Sequence, residues 1–478
     1  MRRRVVRYKE AFLNGLRAFA GEPNQDRLAR CYNAYPRADG LYGWSEIPQV
    51  VEQHEVDFPF PQMFVTKDRL FLFFRDGARQ YIPGSGWESF VFRDVYTGQI
   101  SFPYGTDVWH FVDLTPAFIA TNGSVVLFRQ MLKDGPQYAL ATSPNFNTLC
   151  HWRGRVFSGG VSGGDLNTVY WSSVGEADFS FRWFLFPEEK EREVYKVERG
   201  EFGAMRMPFS GEVLVLKPHR LGVVAYGQNG IALLFHSREP VSTFGLRELE
   251  HFGIPSRGAV AGSEDVHVFV SSSGDLMMLD GDARIKSLGY REFFEPMLTE
   301  TLVVSYLPDP VEPKFFISSE KRSFVFTPSG LGEIFQCVTS AGFLSGEARV
   351  VSKNLPDRGM LVELSEFGGQ FEEVGLKQVD ALRLVGRTTY NLFGFSKVRY
   401  ESLDPLIETR PRQFSPTGFL RLGDTGTTFR ICIGAQDPRG VRLHTLDVEF
   451  LFLSKQLVRG AFGPEVGTEP SESSVGQP

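Results

Sequence analysis

The sequence predicts an all-β protein: a β-propeller of about six irregular blades, with an N-terminal arm and a C-terminal β unit. Three observations carry that prediction. Apolar runs recur with tight-turn residues between them, aromatic side chains make up 14% of the chain, and helical periodicity is sparse. Rings suit half-buried pleated surfaces. Asn-Gly and Asp-Gly pairs supply the positive φ angles that tight hairpins need.

The chain opens on "MRRRVVRYKEAFLNGLRAFA", the start of an arm assigned to residues 1–45. Its basic start is followed by Arg7, Lys9, Glu10, Asn14 and Arg17. These break any signal-peptide apolar core, so the arm reads as non-secreted. The propeller is assigned to 46–365. Its first unit, "MFVTKDRLFLFFRDGARQYIP", has turn chemistry at Lys67-Asp68 and Asp76-Gly77. Later turns fall at Asn122-Gly123, Asp134-Gly135, near His219, at Asn229-Gly230, Ser273-Gly274 and Asp280-Gly281, near Glu320 and at Ser329-Gly330. The units begin near 64, 117, 150, 213, 260 and 303. Their mean spacing of roughly fifty residues is the scale of one propeller blade. No WD or kelch signature repeats, and a chain of β-sandwiches is the rival architecture.

Two short helical segments are expected. One lies in "REFFEPMLTETL" (291–302); the other is a single turn from Leu246 to His251, ahead of Pro255. Charge concentrates in "FPEEKEREVYKVERGE" (186–201), which reads as a solvated loop or hairpin face. Residues 366–455 form a C-terminal β unit or strands that close the propeller. There Phe429, Ile431 and Ile433 alternate with Arg430 and Cys432, and Leu446, Val448 and Phe450 repeat the pattern. The end, 456–478, is rich in Gly, Pro, Ser and Glu and is expected to be a disordered tail.

Composition narrows the function classes. With 51 basic and 57 acidic residues the net charge is −6, which gives no global signal for nucleic acid. Cys31, Cys150, Cys337 and Cys432 are far apart and form no C-x-x-C pair, which fits folding in a reducing cytoplasm. No apolar run reaches membrane-spanning length, so no membrane anchor is expected. No phosphate-cradling loop precedes a helix, and no cofactor is expected.

One stretch looks catalytic. Gly160-Val161-Ser162-Gly163-Gly164 fits G-x-S-x-G, the nucleophile elbow of serine hydrolases. An elbow needs a helix directly after the serine. Here Thr168, Val169, Tyr170 and Trp171 favour a strand. Gly159 to Gly164 therefore reads as a blade loop, and Ser162 as a loop residue without a partner. The eight histidines show no H-E-x-x-H or H-x-H spacing. His110 and His151 each adjoin a tryptophan and read as packing residues; His267 is placed on the less buried face of "VHVFV". "DGD" (280–282) sits where a hairpin turn is wanted and lacks the other ligands of a calcium loop. The sequence thus assigns no catalytic residue, no metal ligand and no binding residue, and it reads as a non-enzyme.

Four passages resemble a known family. "RLARCYNAYPRADGLYGWSEIP" (27–48), "HWRGRVFSGGVSGGDLNTVYWSS" (151–173), "HFGIPSRGAVAGSEDVHVFVSSSGDLMMLDGDARIKSLGYREFF" (251–294) and "FRICIGAQDPRGVRLHTLDVEFLFL" (429–453) follow, in order, the pattern of the tail hub or nozzle proteins of short-tailed bacteriophages. These are also called packaged-DNA stabilisation proteins. The resemblance spans nearly the whole chain and implies a structural virion protein made in the host cytoplasm. It implies a homo-oligomer, a hexameric ring below the portal and its head-to-tail adaptor, that docks tail fibre or needle proteins. Such a ring continues the channel for double-stranded DNA and retains the packaged genome without sequence-specific binding. The family carries no catalytic residues. The loop 186–201 departs from its pattern. The alternative is a receptor- or glycan-binding propeller, with or without hydrolase activity, suggested by the aromatic content.

Overall fold

The computed structural model describes residues 2–16, 27–66, 69–82, 84–89, 92–94, 99–101, 108–115, 117–132, 135–141, 145–161, 165–172, 203–237, 244–309, 311–366, 376–387, 392–400 and 404–453. The fold is a β-propeller. Six antiparallel four-stranded meanders follow one another: 62–89, 110–141, 146–206, 213–250, 260–289 and 303–334. We number them blades one to six. Each begins within about seven residues of the sequence expectation. The turns explain this. Gly123 and Gly274 hold φ of 84° and 87°, and Gly227 N–H donates to the Gly230 carbonyl at 2.8 Å across the Asn229-Gly230 turn. Lys67-Asp68 and Asp134 lie outside the described residues.

A seventh unit completes the ring. The two-stranded hairpin Gln336–Leu344 and Glu347–Asn354 stands between the first strands of blades six and one. It accepts the chain's own entry segment as a further strand: Val50 N–H donates to the Val350 carbonyl at 3.0 Å, and Val350 N–H to the Pro48 carbonyl at 3.1 Å. The ring thus closes by pairing residues some 300 positions apart in sequence.

The core consists of the wedges between blades. Phe71, Phe73, Trp109 and Phe118 fill the space between blades one and two. Trp152, Phe157, Trp171 and Phe244 fill that between blades three and four. Ring centroids in these wedges lie 4.9–6.4 Å apart, the offset and edge-on spacings that aromatic quadrupoles favour. Both faces of a blade are covered, so strands such as Leu70–Phe73 and Ser323–Thr327 are buried at every position. The high phenylalanine content is thereby used: wide wedges need large side chains. Truncating Phe118 to Ala should cost about 3–5 kcal/mol in urea denaturation, because it is 1% exposed and touches Phe71, Phe73 and Phe111.

The segment expected as an arm is built into the C-terminal unit. Arg2–Tyr8 pairs along Arg442–Phe452. Leu28–Tyr32 lies between the last strand of blade six and Met360–Leu364. One sheet of the unit holds 2–8, 34–37, 40–43, 442–452, 377–387 and 419–426; the other holds 28–32, 360–364, 428–435 and 392–399 and runs on from blade six. Phe429, Ile431, Ile433, Leu446, Val448 and Phe450 are each at most 1% exposed between them. The alternation seen in the sequence is the inner face of this sandwich. The tail 456–478 and the charged run 186–201 fall outside the described residues.

Two other expectations meet the structure differently. Arg291–Phe294 is helical and continues as a 3-10 turn, as expected. Leu246–His251 is not helical: Phe244–Glu250 is the outer strand of blade four and pairs with Ile231–His236. Ladder pairing overrides the helical propensity of "LRELE".

Candidate functional site

The first strands of all seven units surround one axial cavity of about 430 Å³. Each strand gives three or four residues to its wall, among them Met63, His110, Cys150, Lys217, Val260, Tyr306 and Ser340. Polar side chains bridge neighbouring units around it. Trp109 N–H donates to Gln62 Oε1 at 2.6 Å, and Met63 N–H to Ser340 Oγ at 2.7 Å. Leu216 N–H donates to Thr148 Oγ1 at 2.8 Å.

His110 links four units through this network. Its Nε2 lies 3.3 Å from the Arg257 carbonyl, which can only accept, so Nε2 carries the proton. Its Nδ1 then accepts from Thr148 Oγ1 at 2.7 Å, leaving that oxygen free to accept from Leu216. Burial, with the nearby Arg257 and Lys217 cations, holds His110 well below the usual histidine range. It is a neutral packing and bridging group, as the sequence suggested.

Blades four and five are joined by the same device. His267 is 1% exposed, which corrects its placement on a less buried face. Its Nε2–H donates to the Pro218 carbonyl at 3.0 Å and its Nδ1 accepts from Tyr226 OH at 2.8 Å. Burial pushes its pKa down to about 3. His219 Nε2–H donates to the Asp280 carbonyl at 3.0 Å. The "DGD" run is the turn expected: Asp280 Oδ1 accepts from the backbones of Asp282 and Arg284, both at 3.0 Å.

The glycine-rich stretch is partly strand. Arg155–Val161 is the second strand of blade three, so Gly159 to Val161 is ladder, not loop. Arg153-Gly154 makes the preceding turn, with φ of 47° and 77°. The glycines serve close packing on blade four. A Cβ on Gly159 would meet Val213 Cγ1 at 2.7 Å. Gly160 has φ of +67°, and a Cβ there would lie 2.4 Å from Asn147 Nδ2 and 2.7 Å from the Val213 carbonyl. Gly160→Ala should therefore destabilise by roughly 2–4 kcal/mol, read in urea denaturation; an unchanged midpoint would contradict this packing. Ser162 lies outside the described residues.

Cys150 is the nucleophile type in the cavity wall. Burial pushes its thiol up, and the opposing pull of Lys217 is smaller, so the group stays a thiol. Among the described residues no three His, Cys, Asp or Glu side chains gather as a metal site. What the cavity does offer is positive charge beside neutral donors.

No family model and no curated protein matches the chain. Solved structures do resemble it in part. One is PorZ, an essential bacterial surface component of the type-IX secretion system of Porphyromonas gingivalis, at 9% identity and a TM-score of 0.37. That likeness covers 67% of this chain and 38% of the PorZ chain. A second is the Dos1 propeller, at 11% identity and a TM-score of 0.30, covering 53% of this chain and 67% of that one. KlHsv2 with loop 6CD replaced by a Gly-Ser linker follows at 8% identity and a TM-score of 0.31, covering 62% and 97%. The decisive observation for the fold is internal: seven first strands around one cavity.

Proposed function

We propose that this chain is a structural virion subunit, a tail hub or nozzle protein of a short-tailed bacteriophage. In this reading it forms a ring, six copies around the tail axis, below the portal and adaptor, with fibre or needle proteins docked on it. The observation that carries the reading is where the family-like passages fall. Residues 27–48 knot the propeller to the C-terminal unit through Asn33, whose side chain bonds both Phe335 and Gly359. Residues 251–294 build blade five and its helix, and 429–453 supply central strands of both C-terminal sheets. A part that bears internal genome pressure must be rigid, and a closed ring fused to a sandwich by a shared sheet supplies that. The net charge of −6 favours passage of DNA over adhesion, since basic surfaces bind phosphate through counterion release.

Native mass spectrometry of the purified protein mixed with its adaptor tests the assembly. Hexamers, alone or with adaptor, are expected; monomers that ignore the adaptor would overturn the reading.

A further inference from the structure

Among the described residues, Lys217 is a cation without a counterion. It stands in the first strand of blade four, Val213–His219, and lines the axial cavity half-buried. The groups that feel its charge are Cys150, His110 and His267, none of them a carboxylate. Among the described residues, no ion pair or hydrogen bond holds its ammonium. Arg257, 7% exposed, adds a second positive charge to the same wall, with its Nη1 donating to the Asn122 carbonyl. Asp113 is the carboxylate of the wall, and its Oδ1 is occupied by Thr115, whose backbone donates at 2.8 Å. Drawing an ammonium partly out of water without an anion is costly. Burial accordingly pulls the lysine's pKa down, opposed by Cys150.

We propose that the axial cavity is a binding site for a free small oxyanion, a carboxylate or phosphate group of metabolite size, held by Lys217. A lone ammonium is a point charge with three donors, suited to a compact oxyanion rather than to a planar fork. The cavity volume of about 430 Å³ lies within the range of small-molecule sites. Arg257 adds positive potential from the wall, with its Nη1 donating to the Asn122 carbonyl. The site is independent of how copies of the chain assemble.

The test uses the full chain with inorganic phosphate and, separately, citrate, at constant ionic strength set by potassium chloride. Wild-type protein should show a saturable rise in melting temperature of several degrees and a saturable calorimetric isotherm with at least one of the two. Lys217→Met should lose at least tenfold in affinity while melting no lower than wild type without anion. Equal responses in wild type and variant would mean general salt exclusion and would overturn the site. So would the lack of any saturable response. Lys217→Gln replaces the methionine variant if that fails to fold. If neither folds, phosphorus NMR line broadening of phosphate by wild-type protein decides: no saturable broadening overturns the site.

Discussion

Asn33→Ala is expected to destabilise the protein by roughly 4 kcal/mol, a large share of the 5–15 kcal/mol that typically holds a fold. Asn33 is fully buried with φ of 52°, a conformation asparagine tolerates and alanine resists. Its Oδ1 accepts from Phe335 N–H at 2.7 Å, and its Nδ2 donates to the Gly359 carbonyl at 2.8 Å and the Asp357 carbonyl at 3.3 Å. Its backbone donates to Glu333 at 2.7 Å and accepts from Trp44 at 2.8 Å. Alanine would leave the buried Phe335 N–H and the half-buried Gly359 carbonyl without this partner, at about 1–3 kcal/mol each, and add the cost of the left-handed backbone. Asn33→Gly removes the same side-chain bonds without the backbone cost. It should fall between wild type and Asn33→Ala in urea denaturation. A loss below about 1 kcal/mol for the alanine variant would contradict the joint.

Mild acid is expected to destabilise the ring through its buried histidines. His267, with a folded pKa of about 3, and His110, also held well below its ordinary value, are neutral in the fold and free to protonate once unfolded. A depressed folded pKa gives stability that is complete above the unfolded value, about 6.5, and is lost as pH falls below it toward the folded value. Between pH 7.5 and 5 His267 should cost about 2 kcal/mol, and His110 acts in the same direction. Carboxylates titrate mainly below this window. Urea denaturation from pH 7.5 to 5 measures the slope. His267→Gln, whose amide can still donate to the Pro218 carbonyl, should lower that slope. A slope unchanged by this variant would contradict the assignment.

Much of the blade pattern was legible because hairpin turns are local. Asn229-Gly230 and Ser273-Gly274 need only their own backbone geometry, and both turns stand where the sequence put them. Features made by distant partners were not legible. The hairpin 336–354 counts as a seventh unit only because residues 48–50 return to it. Residues 27–43 read as an arm because Asn33 finds Asp357 and Gly359 more than three hundred positions away. His267 was misplaced because alternation distinguishes faces only when one of them meets water, and blades are covered on both sides. The cavity left no motif, since each of seven strands contributes only a few residues to it. Lys217 carried a faint signal: a lysine closing the apolar run "VLVL" is out of place unless something answers its charge.

Cryo-electron imaging of purified virions, with the protein marked by a specific antibody, tests the proposed role as a ring-forming part of a virion tail. Labelled density is expected in a six-fold ring immediately below the portal and adaptor, with one propeller per subunit. Virions lacking the protein, or label at any other position, would contradict it.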